Sequence, residues 1–231
     1  MNPDHPDFFI EQGYLQLRGF HPGSRMMAIR RRVIDEVKRL SGGGGMPRTV
    51  RDLPVFQQIG RLSAQVNVPG LHEALATAPL IDLVTRLGRQ APSIVQPTKL
   101  LLSPPSQGPW TLDGLNWHVD IAAVSEDIPG IQAFFLIDDV VPHGGATLAL
   151  AGSHRVGEHG APSVSRLRGM LRDSKDLERR MNGLGVSIVE MSGRAGDVFV
   201  MDMRLLHTPS VNSTKRMRMM ATSRCLMDRA T

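Results

Sequence analysis

The tripeptide His118-Val119-Asp120, preceded by Trp117, sets an imidazole and a carboxylate two residues apart. In an extended chain residues i and i+2 point to the same face, about 6.5–7 Å apart at the backbone, so both can reach one metal ion. A second imidazole would complete two histidines and one carboxylate on one face of an octahedron. That set leaves three positions open and is typical of non-haem iron(II) oxygenases. His207 is available for the role. It ends the run "GDVFVMDMRLLH", which reads as a strand entered from a Gly-Asp turn. Taken alone, a His-x-Asp tripeptide more often marks a histidine hydrogen-bonded to a neighbour, so the surrounding chain has to decide.

After His207 the chain continues "TPSVNSTKRMRMMATSRCLM". Strand alternation puts Arg216, Arg218, Met220 and Thr222 on one face and Met217 and Met219 on the other. A guanidinium pointing into a barrel is costly unless paired. A dicarboxylate ligand would pair it, because the arginine fork matches a carboxylate. A salt bridge to a buried acid, or a solvent-facing strand edge, would explain it equally. Only one of the two arginines is expected to meet such a ligand, leaving the other structural or at the surface.

These residues need a scaffold. Residues 4–12 read as a short helix, and Tyr14, Leu15 and Leu17 as a strand. Met26, Met27, Ile29, Val33, Ile34, Val37 and Leu40 recur at helical spacing over 23–40, and Ser41 with Gly42 to Gly45 ends that helix in a loop. Residues 70–89 read as one or two helices interrupted near Pro79. From Ser93 onward, short runs rich in Val, Ile, Leu and Phe alternate with Pro and Gly, at 94–102, 115–123, 130–141, 146–151, 186–191, 197–203 and 216–226. Such spacing predicts a β-sandwich or barrel. A polar, basic segment over 158–182 reads as a helix or an excursion loop. The expected organisation is one domain over 1–231, in which a mostly helical part, 1–92, packs on a β core, 93–231.

Composition excludes several classes. A chain of 231 residues buries enough surface to need no covalent staple. The single cysteine, Cys225, rules out a disulfide framework and a multi-cysteine metal cluster, and reads as a buried, inert thiol. The net charge is +5, with basic residues clustered at Arg25–Arg39, Arg166–Arg180 and Lys215–Arg229. Neighbouring acids make these solvated helix faces rather than a nucleic-acid surface, and no helix-turn-helix, zinc-finger or RNA-recognition pattern accompanies them. Only seven Phe, two Trp and one Tyr are available for base stacking. No run is long enough for a membrane span and the N-terminus lacks a signal layout, so the expected setting is cytoplasmic. No Gly-x-Ser-x-Gly elbow, Walker A or Gly-x-Gly-x-x-Gly motif is present. His5, His21, His72, His143, His154 and His159 have no ligand spacing to one another and read as surface or loop residues.

Taken in order, "WHVD", "GGATLALAGSHR" and "GDVFVMDMRLLHTPSVNSTKRMR" resemble the phytanoyl-CoA dioxygenase family, over roughly 94–226 and more faintly at "GYLQLRGF". The resemblance implies a mainly β fold with flanking helices, a double-stranded β-helix of jelly-roll or cupin-like type. It implies iron(II) held by His118, Asp120 and His207, with 2-oxoglutarate and O2 as co-substrates. Relatives place the arginine for the far carboxylate of 2-oxoglutarate about eleven residues beyond the second histidine, which here is Arg218. Lys99 and Phe134 fall where relatives approach the cosubstrate.

The implied reaction oxidises a small-molecule metabolite, by hydroxylation or another outcome of C–H abstraction, in specialised metabolism. Asp120 argues against halogenation, because halogenating relatives replace that carboxylate. The expected partner is a small molecule, with anionic and carrier-tethered substrates among the options. Two departures touch the cosubstrate cradle. Gly144-Gly145-Ala146-Thr147 replaces a common Asn-Gly-x-Leu, and Pro209 stands where relatives often carry a serine, leaving Thr208 as a candidate replacement. The competing expectations are a non-catalytic metal or small-molecule binding module, and an iron oxygenase of the same fold that does not use 2-oxoglutarate.

Overall fold

Alternating apolar residues build two antiparallel sheets, seen here in a computed structural model that describes residues 6–43, 45–122, 127–155, 163–173 and 176–228. Helix α1 (Pro6–Gln12) leads into β1 (Tyr14–Leu17), followed by α2 (Gly23–Ser41), α3 (Arg48–Arg51), α4 (Val55–Gln65), α5 (Leu71–Leu75) and α6 (Ala78–Gly88). Strands β2 (Ile94–Val95), β3 (Lys99–Ser103), β4 (Gly130–Leu136) and β5 (Thr147–Ala151) come next. A single 3-10 turn (Ser153–Arg155), α7 (Val164–Arg172) and α8 (Leu177–Gly183) precede β6 (Ser187–Glu190), β7 (Val198–Asp202), β8 (His207–Pro209) and β9 (Arg218–Leu226).

The larger sheet runs β1-β7-β4-β9-β2, with β3 also on β9, and the smaller runs β6-β5-β8. Strand β9 is long enough that β2 pairs with its end and β3 with its beginning along one edge, while β4 takes the other edge. Alternation divides the larger sheet cleanly. Leu100, Leu102, Ile131, Ala133, Phe135, Met219 and Ala221 face outward into one continuous core shared with the helices. Leu101, Phe134, Leu136 and Met220 face inward against Ala149, Phe199 and Met201. Outside the smaller sheet, Leu148 and Leu150 are covered by Leu167, Met170 and Leu171 of α7. Two antiparallel sheets with helices on the outer face of each form a double-stranded β-helix.

Helix α2 buries Met26, Ile29, Val33 and Val37, one stripe at 3.6-residue spacing, and ends where Gly42 turns left-handed at φ 70°. Several elements differ from the sequence reading. The 70–89 segment breaks at Ala76 and Thr77, and Pro79 lies inside the first turn of α6, where a missing N–H costs nothing. The 115–123 run is not a strand. It contributes one isolated bridge, at His118, and residue 123 lies outside the described residues. Segment 158–182 supplies α7 and α8, with residues 158–162 and 174–175 (His159 and Lys175 among them) outside the described residues, as are His5, Gly44 and Arg229. His21 and His154 are buried rather than at the surface. In the basic clusters Arg39 pairs with Glu36, Arg180 with Asp173 and Arg30 with Asp138.

Helix α4 was not anticipated, yet it closes the free edge of β3. The Leu102 N–H, pointing away from β9, donates to the Ser63 hydroxyl at 2.8 Å. Ser63→Ala should leave that N–H without a partner and cost about 1–3 kcal/mol, read as a lower urea midpoint at unchanged slope. An unchanged midpoint would mean that water reaches the edge.

Candidate metal centre and cosubstrate pocket

His118 and His207 lie far apart in the chain but are joined directly by backbone. The His118 N–H donates to the His207 carbonyl at 2.9 Å, and the His207 N–H donates back at 2.8 Å. Residues that exchange both bonds in an antiparallel pair send their side chains to the same side. The two rings accordingly stand 4.4 Å apart. Strand β8 carries His207 opposite Ala149 of β5, so the ring points between the sheets. Asp120 is held two residues past the bridge by its N–H on the Met203 carbonyl, at 3.1 Å.

Ligand atoms of His118, Asp120 and His207 lie within 4.8 Å of one another. Each imidazole is oriented by a carbonyl. The Nδ1 of His118 is 2.9 Å from Asn116 O, and the Nδ1 of His207 is 3.0 Å from Leu205 O. A carbonyl only accepts, so Nδ1 carries the proton on both rings and each Nε2 keeps a free lone pair. Burial, above all, lowers the pKa of His207, and the nearby Asp120 carboxylate opposes this only in part. Its ring is therefore neutral and ready to ligate at neutral pH. Asp120 divides its oxygens. Oδ1 accepts from Arg224 Nη2 at 2.7 Å, whereas Oδ2 is buried without a hydrogen-bond partner, 3.8 Å from His207 Nε2. An orphaned carboxylate oxygen facing two imidazole lone pairs fits a divalent metal of the iron type.

The site opens on a cavity of about 720 Å³. Arg218 enters it from the start of β9, opposite Ser103 of β3. It is fully buried and donates one N–H to the Leu101 carbonyl at 3.0 Å, while its Nε is buried without a partner. Burial pushes its pKa down to about 10, so it stays charged at neutral pH. Among the described residues no carboxylate pairs with it, which is the situation an incoming dicarboxylate would relieve. Arg216 lies before the strand, exposed, and reaches Asp138 at 3.8 Å. Phe134 is buried on the inner face of β4, its ring 6.5 Å from that of His207, and Lys99 is exposed at the cavity wall opposite Thr222.

Thr208 does not replace the missing serine, since its hydroxyl turns to the Pro209 carbonyl at 3.1 Å. Thr147 lies directly opposite Pro209 on β5 and lines the cavity. It is the hydroxyl-bearing residue of the lining that register sets beside Pro209. Arg224 was also missed. Extending the β9 alternation from Arg218 through Met220 and Thr222 reaches it in one further step.

The two-sheet fold and a two-histidine, one-carboxylate site define the class of non-haem iron oxygenases. The chain belongs to the phytanoyl-CoA dioxygenase family, whose sequence model matches residues 9–220. It is an oxidoreductase that depends on iron(II) and 2-oxoglutarate. Among solved structures it is similar to AviO1 from Streptomyces viridochromogenes Tue57, at 16% identity and TM-score 0.66, covering 98% of this chain and 95% of that one. It is similar to SnoK, a non-heme alpha ketoglutarate dependent carbocyclase from nogalamycin biosynthesis, at 20% identity and TM-score 0.61, covering 98% and 84%. EctD from S. alaskensis, solved with 2-oxoglutarate and 5-hydroxyectoine, aligns at 18% identity and TM-score 0.64, covering 98% and 76%. No curated protein sequence matches. Among the described residues no helix is long and apolar enough to cross a membrane.

Asp120→Ala should abolish tight iron(II) binding in anaerobic titration. Arg224→Met, which frees Asp120 Oδ1, should weaken that binding about 10- to 100-fold. Unchanged affinity in Asp120→Ala would remove Asp120 from the ligand set.

Proposed function

We propose that this chain oxidises an unactivated C–H bond of a small-molecule metabolite, by hydroxylation or a related outcome, with His118, Asp120 and His207 as iron ligands and Arg218 as the anchor of 2-oxoglutarate. The supporting observation is that one cavity holds the histidine ligands at one place and a buried, uncompensated guanidinium at another. Iron(II) bound there, with 2-oxoglutarate and O2, supplies an oxidant strong enough to remove hydrogen from such a carbon. The chain's own contribution is placement. Arg218 offers fixed N–H donors to the far carboxylate, and Thr147 of the smaller sheet and Phe134 of the larger sheet line the same cavity. Lys99 is a further candidate contact to the cosubstrate. Helix α4 and the inner faces of β3, β4 and β9 line the cavity.

The structural neighbour SnoK comes from nogalamycin biosynthesis, which supports a role in specialised metabolism. The lone buried thiol and the need for iron(II) both suit a reducing cytoplasm.

The test is direct. Under anaerobic conditions iron(II) plus 2-oxoglutarate should produce a weak visible charge-transfer absorption, and with O2 the protein should form succinate. Absence of both would favour a binding module. Arg218 gives a second, independent check. A buried cation without a counter-ion destabilises the fold, so Arg218→Met should leave the ligand-free protein as stable or up to about 2 kcal/mol more stable. The same change should weaken 2-oxoglutarate binding at least about 100-fold. Unchanged 2-oxoglutarate affinity would favour an iron oxygenase that does not use it.

A further inference from the structure

Arg224 shares the inner face of β9 with Arg218, but six residues on, about 20 Å further along the strand. It belongs to a row across the sheet. Gln132 of β4 is its partner on one side. On the other, the Gln96 N–H donates to the Arg224 carbonyl at 2.8 Å, extending the β2 pairing by one residue. Residues directly opposite in antiparallel strands share a face, and Gln96, Arg224 and Gln132 all line the cavity.

Two side chains of this row are poised for a ligand. The Arg224 side chain is 41% exposed and uses only Nη2, on Asp120. Among the described residues its remaining N–H groups meet no partner. Gln132 is 4% exposed, and its amide orientation is fixed by a relay. The Thr222 hydroxyl gives its single hydrogen to the Ala133 carbonyl at 2.8 Å, so it can only accept from Gln132 Nε2, at 2.9 Å. Gln132 Oε1 is thereby left buried and without a partner. An unpaired buried acceptor is costly and calls for a donor from outside the protein.

Charge points the same way. The described residues lining the cavity include Lys99, Arg218 and Arg224 and no carboxylate, with Asp120 the acid at the metal site. The two positive charges of iron(II) and the two negative charges of 2-oxoglutarate cancel. Three side-chain cations against one carboxylate then leave an excess of two positive charges for the substrate to meet. A further part of the lining is mainly apolar, with Phe56 and Ile59 of α4 and Val66, Val68 and Leu71 beyond it, beside Ser63 and Asn67.

We infer that the primary substrate is a carboxylate carrying a hydroxyl or N–H donor beside the carboxyl group and an apolar body. The carboxylate is bound by Arg224, the donor by Gln132 Oε1, and the body lies against α4. This rests on the oxygenase reading above and adds the substrate class. Arg224 thus holds Asp120 with one nitrogen and the substrate with the others.

The experiment uses the protein loaded anaerobically with saturating iron(II) and 2-oxoglutarate, with loading confirmed by its visible absorption. Glycolate, 2-hydroxyisocaproate and mandelate are titrated calorimetrically beside their amides, and isocaproate beside 2-hydroxyisocaproate. At least one hydroxy acid should bind about tenfold or more tightly than its amide. Arg224→Met, kept loaded by excess iron, should bring acid and amide within about twofold. Gln132→Leu leaves the Asp120–Arg224 pair in place and should remove only the advantage of 2-hydroxyisocaproate over isocaproate. The inference is overturned if no acid binds, if amides bind as well as acids, or if the preference survives Arg224→Met. It is equally overturned if the acids merely compete with 2-oxoglutarate and lose binding in Arg218→Met. Failure of the wild-type protein to load with iron and 2-oxoglutarate would instead strike the oxygenase reading, and acid binding to the unloaded protein would then be judged on Arg224 alone.

Discussion

The two hydrogen bonds exchanged between the backbones of His118 and His207 are the constraint on which the site depends. Each is worth only about 1 kcal/mol in net stability, but together they fix position. A reciprocal pair sets the two Cα atoms about 5.5 Å apart and turns both side chains the same way. Among the described residues the segment around His118 has no other strand pairing to hold it. His207 is better anchored, because β8 pairs with β5 and the Leu206 N–H donates to the buried Ser153 hydroxyl at 2.9 Å. The smaller sheet therefore places His207, His207 places His118, and the Met203 carbonyl then holds Asp120 by its N–H. The second coordination layer, the carbonyls of Asn116 and Leu205 on the two Nδ1 atoms, comes from the same short stretches.

How much of this was legible in the sequence follows from how local each feature is. The spacing of His118 and Asp120, the Gly-Asp entry to β7 and the inward alternation of β9 are carried by neighbouring residues, and all were read from the chain. The strand expected around His118 was not formed, because a run of alternating residues specifies a strand only if a partner edge is free to accept it. Here that partner offers a single bridge. Helix α4 escaped notice because residues 46–69 are mixed in character, and its value lies in what it covers, the edge of β3 and one wall of the cavity. Thr147 escaped because its importance comes from register with Pro209 across β5 and β8, which no local pattern encodes. Arg224 was within reach of the alternation argument, but its contact with Asp120 depends on how the 118–120 segment crosses the end of β9.

The same distinction explains the fate of the basic residues. Some of the basic residues are paired locally on helix faces, such as Arg39 with Glu36, and an exposed pair of this kind contributes little to stability. The cations that matter are the two that the inner face of β9 presents to the cavity, Arg218 and Arg224.

Strand β9 sets two arginines on one face under opposite conditions, and the difference argues for different tasks. Arg218 is sealed from solvent with one carbonyl for a partner, a state that folding alone would not favour because the lost hydration is not repaid within the protein. Such a residue gains its compensation only from a ligand that brings a carboxylate to it and stays through turnover. Arg224 is compensated already, by Asp120, and remains partly hydrated. It can exchange water for a ligand at little cost and release that ligand again. A cosubstrate that must be held in one pose suits the first environment, and a molecule that must enter and leave as a different compound suits the second. Between them lie Met220 and Thr222. Thr222 takes part in the relay that leaves the Gln132 carbonyl oxygen without a partner, so the strand that carries Arg218 also fixes the orientation of the Gln132 amide.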